Sequence, residues 1–417
     1  MSMLIIDVNH GAPELAKEYI ELGYGVSIWD IYGKLDKEKN FLNNINFKEI
    51  NKINILKSTE EPKFNNYDKI IAPIHCPIDV DFMSFHDATA EIIKEKYGRI
   101  HKKFIEITGV KGKTTTTELI NHILREEYNT YLNNSNKGSI APVSILNCIN
   151  YLNEINKIDF YDIFIFEVSL GLTSCEYGAI TNILENYPIA KGRKDAFMAK
   201  CSTLKNANKK FVNKNLLKSD IFENIDTVID INKTELLSKY PLCYEYNNKI
   251  VEFNNNIFGS HFIENSLFGI EICKNFMDID TIVDKIKSFK INGRMNVVKK
   301  ENNCYLIENI NPGLNVKSID NTINDFINEF INDFDNKNGY ILIGGDFGCT
   351  CEEINIEKLS KVIKKYLSNK NIKFILSGDI GKELKKYFDF EYIDNINNID
   401  YDKYNGNLLK IYRKKIC

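Results

Sequence analysis

Apolar residues along the 417-residue chain alternate between short unbroken runs and longer stretches at three- and four-residue spacing. The runs mark buried strands and the spaced stretches mark amphipathic helices. Residues 4–8 form a short apolar run, and over 13–22 the residues Leu15, Ala16, Tyr19 and Ile20 share one helical face. Gly23 and Gly25 end that helix, and a strand is predicted over 26–29, stopping at Asp30. A third strand, 69–72, runs into Pro73, Ile74, His75, Cys76 and Pro77. This is half of a doubly wound α/β unit, whose ligand loops lie at the carboxyl ends of its strands. A Gly-x-Gly-x-x-Gly fingerprint does not follow, so a dinucleotide is unsupported and Asp30 reads as a loop-starting residue.

The alternation resumes near His101. A strand over 104–108 leads through a glycine-rich loop into a helix with Leu119, Ile120, Ile123 and Leu124 on one face. Further strands are expected over 163–166, 179–183 and 210–213, with helices between them, which implies a mainly parallel sheet. Short strands and turns occupy 241–258. Beyond 298–311, Ile319, Ile323, Phe326, Ile327, Phe330 and Ile331 define another amphipathic helix. A strand (340–343), a helix (354–366), a strand (373–376) and one more helix follow. Three α/β domains are expected: 1–100, 101–297 and 298–417.

Composition narrows the class. Hydrophobic residues make up 43% of the chain and aromatics 12%, enough for globular cores and against wholesale disorder. The 54 basic and 57 acidic residues are intermixed, giving a net charge of −3, so no global field draws the chain to nucleic acid or an anionic membrane. No apolar run approaches the roughly 20 residues that span a bilayer, and Asn9, His10 and Gly11 cut the first run too early for a signal peptide. Ten cysteines without a Cys-x-x-Cys pair suit reduced thiols in a cytoplasm, the expected location. Cys349 and Cys351 lack nearby partners for a structural zinc.

The stretch that carries chemistry is Glu106-Ile107-Thr108-Gly109-Val110-Lys111-Gly112-Lys113-Thr114-Thr115-Thr116-Thr117, between a predicted strand and a predicted helix. That is the context of a phosphate loop. Glycines let backbone N–H groups converge on phosphate oxygens, and the helix N-terminus adds positive partial charge. Lys113 is expected to reach the β- and γ-phosphates, and the Thr114 hydroxyl to ligate magnesium. Thr108, Gly109, Val110, Lys111, Gly112, Lys113, Thr114 and Thr115 are therefore the expected ATP loop. A plain glycine turn opening a helix does not explain Gly112-Lys113-Thr114-Thr115 in that register.

Only Val110 and Lys111 separate Gly109 from Gly112, where a common phosphate loop has four residues. This short form resembles the Mur ligase family, which includes folylpolyglutamate synthetase. Four later stretches carry the same resemblance. Glu167, in Phe166-Glu167-Val168-Ser169, is similar to the family's magnesium-binding glutamate. Gly259 to Asn265 resembles a Gly-x-His-Asn-x-x-Asn motif near the nucleotide, which marks His261 and Asn265. Gly293-Arg294-Met295 resembles the Gly-Arg-Met that gives an arginine to ATP, and Gly344-Gly345-Asp346 follows a strand as in the family's third domain.

The resemblance implies a three-domain α/β architecture with a central phosphate-loop domain and Rossmann-like N- and C-terminal domains. It implies ATP and Mg2+ as cofactors, and transfer of the γ-phosphoryl group to a substrate carboxylate, followed by displacement of phosphate. Lys113, Glu167, Lys200 and His261 are the implied catalytic residues. Thr114, Glu167 and Lys200 are the implied metal residues, Ala199-Lys200 standing where many members carry a carbamylated lysine. ATP contacts extend to Asn265 and Arg294.

Departures lie on the substrate side. Glu185-Asn186-Tyr187-Pro188 replaces the family's Asp-His-x-Asp, Phe262 replaces an asparagine, and a longer motif shrinks to Asn311-Pro312-Gly313. Ile6-Asp7-Val8-Asn9-His10-Gly11, followed by Val26-Ser27-Ile28-Trp29-Asp30-Ile31-Tyr32-Gly33, resembles a methanogen branch of the family that closes a carbocyclic ring on a nickel tetrapyrrole, activating a propionate for attack by a ring carbon. Asn9, His10 and His75 are candidate substrate residues, with Lys191, Arg193 and Lys194 as carboxylate binders; His10 or His75 could assist the proton loss, the other reading being a structural hydrogen bond, and the basic cluster reads equally as a solvated helix start. An amide-forming ligase that joins an amino acid to a peptide or cofactor carboxylate stays open, as does a phosphate-loop ATPase that forms no bond. The oligomeric state is not legible.

Overall fold

The computed structural model describes residues 1–35, 53–183, 186, 188–217, 222–300, 304–332, 338–349, 353–396, 399 and 403–414. The chain forms two compact units, Met1–Ile229 and Asp230–Cys417.

The first unit begins with a parallel sheet of β1 (Ser2–Ile6), β2 (Gly25–Trp29), β3 (Asn54–Leu56), β4 (Lys69–Ala72) and β5 (Met83–Ser84), ordered β3-β2-β1-β4-β5. Met3, Leu4, Ile5 and Ile6 are all buried, the unbroken apolar run of a strand covered on both faces. Strand order reverses between β1 and β4, so the loops leaving those two strands diverge and open a crevice, the position where such sheets bind ligands. Helix α1 (Ala12–Glu21) starts on Gly11, and α2 (Phe85–Tyr97) is capped by Ser84, whose hydroxyl oxygen accepts from the Asp87 N–H.

A second parallel sheet follows. Its strands are β6 (Phe104–Thr108), β7 (Thr130–Asn133), β8 (Ile163–Glu167) and β9 (Cys175–Ile180), then, after a short antiparallel pair β10 (Pro188–Ile189) and β11 (Lys194–Asp195), β12 (Ala207–Asn213) and β13 (Thr227–Ile229). Their order is β13-β12-β9-β6-β8-β7. Helices α3 (Lys113–Leu124), α4 (Val143–Glu154) and α5 (Ala196–Ser202) connect them. One apolar core unites both sheets, placing Met3, Ile5 and Tyr19 in the same cluster as Phe104, Leu146 and Phe164. Gly11 shows how close the approach is. Its φ is 97°, and a Cβ there would lie 2.4 Å from the Val143 Cβ, so the loop after β1 rests directly on α4.

The second unit opens with an antiparallel sheet of β14 (Thr234–Lys239), β15 (Leu242–Tyr246) and β16 (Lys249–Glu252). Helix α6 (His261–Cys273) is buried around most of its surface, and α7 (Ile279–Ile286) is amphipathic. The large sheet contains β17 (Arg294–Lys299), β18 (Tyr305–Ile310), β19 (Gly339–Gly345), β20 (Ile372–Ser377), β21 (Glu391–Ile393) and β22 (Asn407–Arg413) in the order β17-β18-β22-β19-β20-β21. It is parallel except for β17. Helices α8 (Val316–Ile327), α9 (Ile356–Tyr366) and α10 (Gly378–Leu384) complete the α/β layers, and a capping box of Asn315 and Ser318 starts α8.

Several strands differ in their bounds: the first is Ser2–Ile6 where the apolar run spans 4–8, and the strand expected over 210–213 is Ala207–Asn213. The strand expected over 179–183 is Cys175–Ile180, because Thr181 and Asn182 leave the sheet to hold the loop after β6. The glycine in Tyr177-Gly178-Ala179 hid the front of that strand. Among the described residues, no helix is long and apolar enough to cross a membrane. The eight described cysteines are free thiols; Cys351 lies outside the described residues.

Candidate active site

Thr108 ends β6, buried, and the chain turns sharply at Gly109, whose φ is 143°. A Cβ there would lie 2.0 Å from Thr181 Oγ1, so glycine alone fits against that hydroxyl. The Val110 and Lys111 N–H groups donate to the Asn182 carbonyl at 2.8 and 3.1 Å. Thr181 Oγ1 contacts the carbonyls of Thr108 (3.1 Å) and Lys111 (2.6 Å). Gly112, at φ 90°, then opens α3 with no side-chain cap and no acidic residue in the first turn. A helix start with that geometry favours an anion.

Around that helix start the structure gathers Lys113, Thr114, Glu167 and Lys200. Glu167, at the end of β8 and 2% exposed, accepts hydrogen bonds from Thr114 Oγ1 at 2.9 Å and from the Ser135 N–H at 3.1 Å. Its other oxygen lies 3.6 Å from Lys113 Nζ. A hydroxyl and a carboxylate side by side are the hard oxygen donors a magnesium ion takes, so this pair fits one. Lys200, on α5, is 2% exposed. Burial, and then the nearby charge of Lys113, push its ammonium down to about 7, with Cys201 and Glu167 opposing. Near neutrality much of this amine is therefore an uncharged nucleophile. Glu106, by contrast, is fully buried and is taken up by Thr173 and the Ser174 N–H, a structural tie; burial raises its carboxyl.

The crevice of the first sheet brings together Asp7 and His10 after β1 and His75 after β4. Ligand atoms of these three lie within 4.8 Å of one another. Asp7 Oδ1 accepts from the N–H groups of Val8 (2.7 Å) and Asn9 (3.1 Å), and Oδ2 lies 2.8 Å from His10 Nδ1. Burial works against the Asp7 carboxylate, but the bond and charge of His10 and the Asn9 N–H hold it below its ordinary range. His75 meets the His10 ring edge-on at 5.0 Å, and burial, then His10, push its imidazole down to about 4. Asn9 contributes backbone: its carbonyl accepts from the Ala12 N–H. Lys191, Arg193 and Lys194 differ in their surroundings. Lys191 is exposed, Arg193 pairs with Asp79 and the Pro77 carbonyl, and the Lys194 ammonium sits 5.2 Å from the Phe82 ring centre. Asn186 accepts from the Phe197 N–H, while Glu185 and Tyr187 lie outside the described residues.

His261, Asn265 and Arg294 belong to the second unit. His261 opens α6 with its ring against Phe262, Asn265 is buried one turn on, and His261 feels the charge of Arg294. Arg294 begins β17, where Gly293 approaches the Ile310 carbonyl so closely that a Cβ would lie 2.6 Å from it.

Sequence reasoning missed several residues. Ser135, Thr181 and Asn182 brace the loop and Glu167 from distant strand ends. His86, in the first turn of α2, is 2% exposed; its Nε2 lies 2.9 Å from the Ser169 carbonyl, and Nδ1 has no hydrogen-bond partner among the described residues. It senses both Lys200 and His75, so it lies electrostatically between the loop site and the crevice. Ser84-x-x-Asp87 ahead of an apolar run was the available signal for its helix.

This architecture is that of the Mur ligases. A MurF ligase from Thermotoga maritima, solved in complex with ADP, matches with a TM-score of 0.57 at 14% identity, over 82% of this chain and 84% of that one. Residues 298–415 match the family described as coenzyme F430 synthetase CfbE, C-terminal domain. A coenzyme F(430) synthetase from Methanocaldococcus jannaschii is 52% identical over 422 residues, 99% of each chain. Another, from Methanosarcina acetivorans, is 23% identical over 87% of each. The chain belongs to the coenzyme F(430) synthetase family.

Proposed function

We propose that the protein activates a propionate carboxylate of a nickel tetrapyrrole with ATP and closes a carbocyclic ring by forming a carbon–carbon bond. ADP and phosphate are released. The observation that carries this is the set of half-buried Lys113 with buried Thr114 and Glu167 at an uncapped helix start behind a glycine loop, with a partly neutral Lys200 beside it. The loop from Thr108 to Thr115 cradles the phosphates. Lys113 neutralises charge that builds up on the transferred phosphoryl group, and positioning supplies most of the remaining catalysis. Thr114 and Glu167 would hold a magnesium ion, which supplies further neutralisation of phosphate charge. Lys200, deprotonated, is suited to take up carbon dioxide as a carbamate and present a third anionic oxygen group. His261, Asn265 and Arg294 are assigned to the nucleotide on their motifs alone.

The full-length likeness to a coenzyme F(430) synthetase favours ring closure over amide formation. The test is mass spectrometry of a reaction containing ATP, Mg2+ and the open-ring nickel precursor, with Lys113→Ala protein in parallel. A product lighter by one water, formed with ADP and missing in the variant, is expected. Unchanged precursor with folded wild-type protein would overturn the proposal.

A further inference from the structure

A carbon nucleophile has no lone pair. To attack an activated carboxylate it must use the electrons of a C–H bond, so a base has to accept the proton. Lys113, Thr114 and Glu167 are committed to one another and to phosphate, and Glu106 is consumed by Thr173 and Ser174. The crevice of the first sheet offers a different arrangement. Asp7 is fully buried, and both of its oxygens are occupied. An ionised carboxylate only accepts, so His10 Nδ1 is the N–H donor of their 2.8 Å contact, and in the neutral ring the lone pair is then on Nε2. The His10 side chain is 40% exposed, and so reachable by a ligand.

Backbone geometry fixes this dyad further. Asp7 (φ 86°) and His10 (φ 59°) both sit in the left-handed region, strain that persists where surroundings over-determine a loop. Gly11 anchors the same loop on α4 of the nucleotide-loop sheet. His75 closes one side of the His10 ring.

Resting on the proposed ring closure, we infer that His10, oriented by Asp7, is the catalytic base that removes the proton from the nucleophilic carbon. The C–H pair becomes the new C–C bond to the acyl carbon. The acyl C–O bond breaks, phosphate leaves with that electron pair, and the proton resides on His10 Nε2. Asp7 is a positioning residue that holds the tautomer and stabilises the imidazolium.

The experiment separates activation from proton removal. With full-length protein, ATP labelled with oxygen-18 in the β,γ-bridge reports reversible acyl-phosphate formation through scrambling. Deuterium uptake at the nucleophilic carbon of the open-ring nickel precursor, with Mg2+ and a non-hydrolysable ATP analogue, reports proton removal. His10→Asn keeps a residue that tolerates positive φ. It should scramble at the wild-type rate while ring closure and deuterium uptake both fall about 100-fold or more. Asp7→Asn should lower deuterium uptake with scrambling retained. Ring closure within threefold of wild type in His10→Asn overturns the assignment, as does a matched fall in scrambling and closure, which marks a binding role. A transition metal retained by the purified protein and lost in His10→Asn, together with deuterium uptake, overturns it in favour of a metal site. Wild-type protein that forms no product defeats the ring-closure reading and this inference with it.

Discussion

Replacing Lys200 by methionine should make the first unit more stable in acid, and the gain should shrink as pH rises. Burial and Lys113 bring this ammonium from 10.5 to about 7. A tenfold change in proton affinity is worth about 1.4 kcal/mol, so below neutral pH the folded chain carries a cost of roughly 5 kcal/mol for a buried charge. Between about 7 and 10.5 the unfolded chain binds more protons than the folded one, and stability therefore rises with pH. Methionine has a similar length and no charge, and abolishes that slope. Trp29, the sole tryptophan, is buried in the same unit and reports its unfolding by fluorescence. Urea titrations without nucleotide, in chelator and carbon-dioxide-free buffer, should show Lys200→Met ahead by several kcal/mol near pH 6 and by roughly 3 kcal/mol less near pH 9. Bicarbonate should then stabilise wild type and leave the variant unchanged. A gap that does not change with pH, or a variant less stable than wild type in acid, would refute the reasoning.

Three further outcomes follow from single contacts. Glu167→Gln keeps an oxygen for Thr114 and Ser135 but removes the counter-charge 3.6 Å from Lys113; ADP formation should fall about 100-fold or more in a coupled assay, with unfolding little changed. Thr181→Val removes a hydroxyl that reaches the Thr108 and Lys111 carbonyls, so the KM for ATP should rise several-fold at a stability cost of about 1 kcal/mol; an unchanged KM counts against a bracing role. Gly11→Ala forces a Cβ to within 2.4 Å of Val143 at a positive φ, and the urea midpoint read from Trp29 should drop by the equivalent of about 2 kcal/mol or more.

What could be read beforehand follows from how local each signal was. The loop from Gly109 to Thr115 was legible because its glycines, lysine and threonines are contiguous and sit where a strand gives way to a helix. Strands 69–72 and 104–108 were read to the residue, being apolar runs bounded by polar residues. Strand β22, buried throughout and central to its sheet, escaped notice because Lys410 and Arg413 interrupt its apolar pattern; their charges are met by Glu308 and Glu353 from elsewhere in the fold. The same logic separates the site residues. Glu167 was found because a family motif surrounds it. Thr181, Asn182, Ser135 and His86 were not, because each acts through a partner far away in sequence: Thr181 lies 70 residues from Lys111, and His86 lies 83 from Ser169. Asp7 shows the limit most clearly. In sequence it is a lone acid within the apolar run 4–8, and nothing there marks it as a partner of His10. Only the pairing of parallel strands β1 and β4 at the switch point, where the loops leaving them diverge, places it, buried and fully bonded, against His10 Nδ1 with His75 alongside.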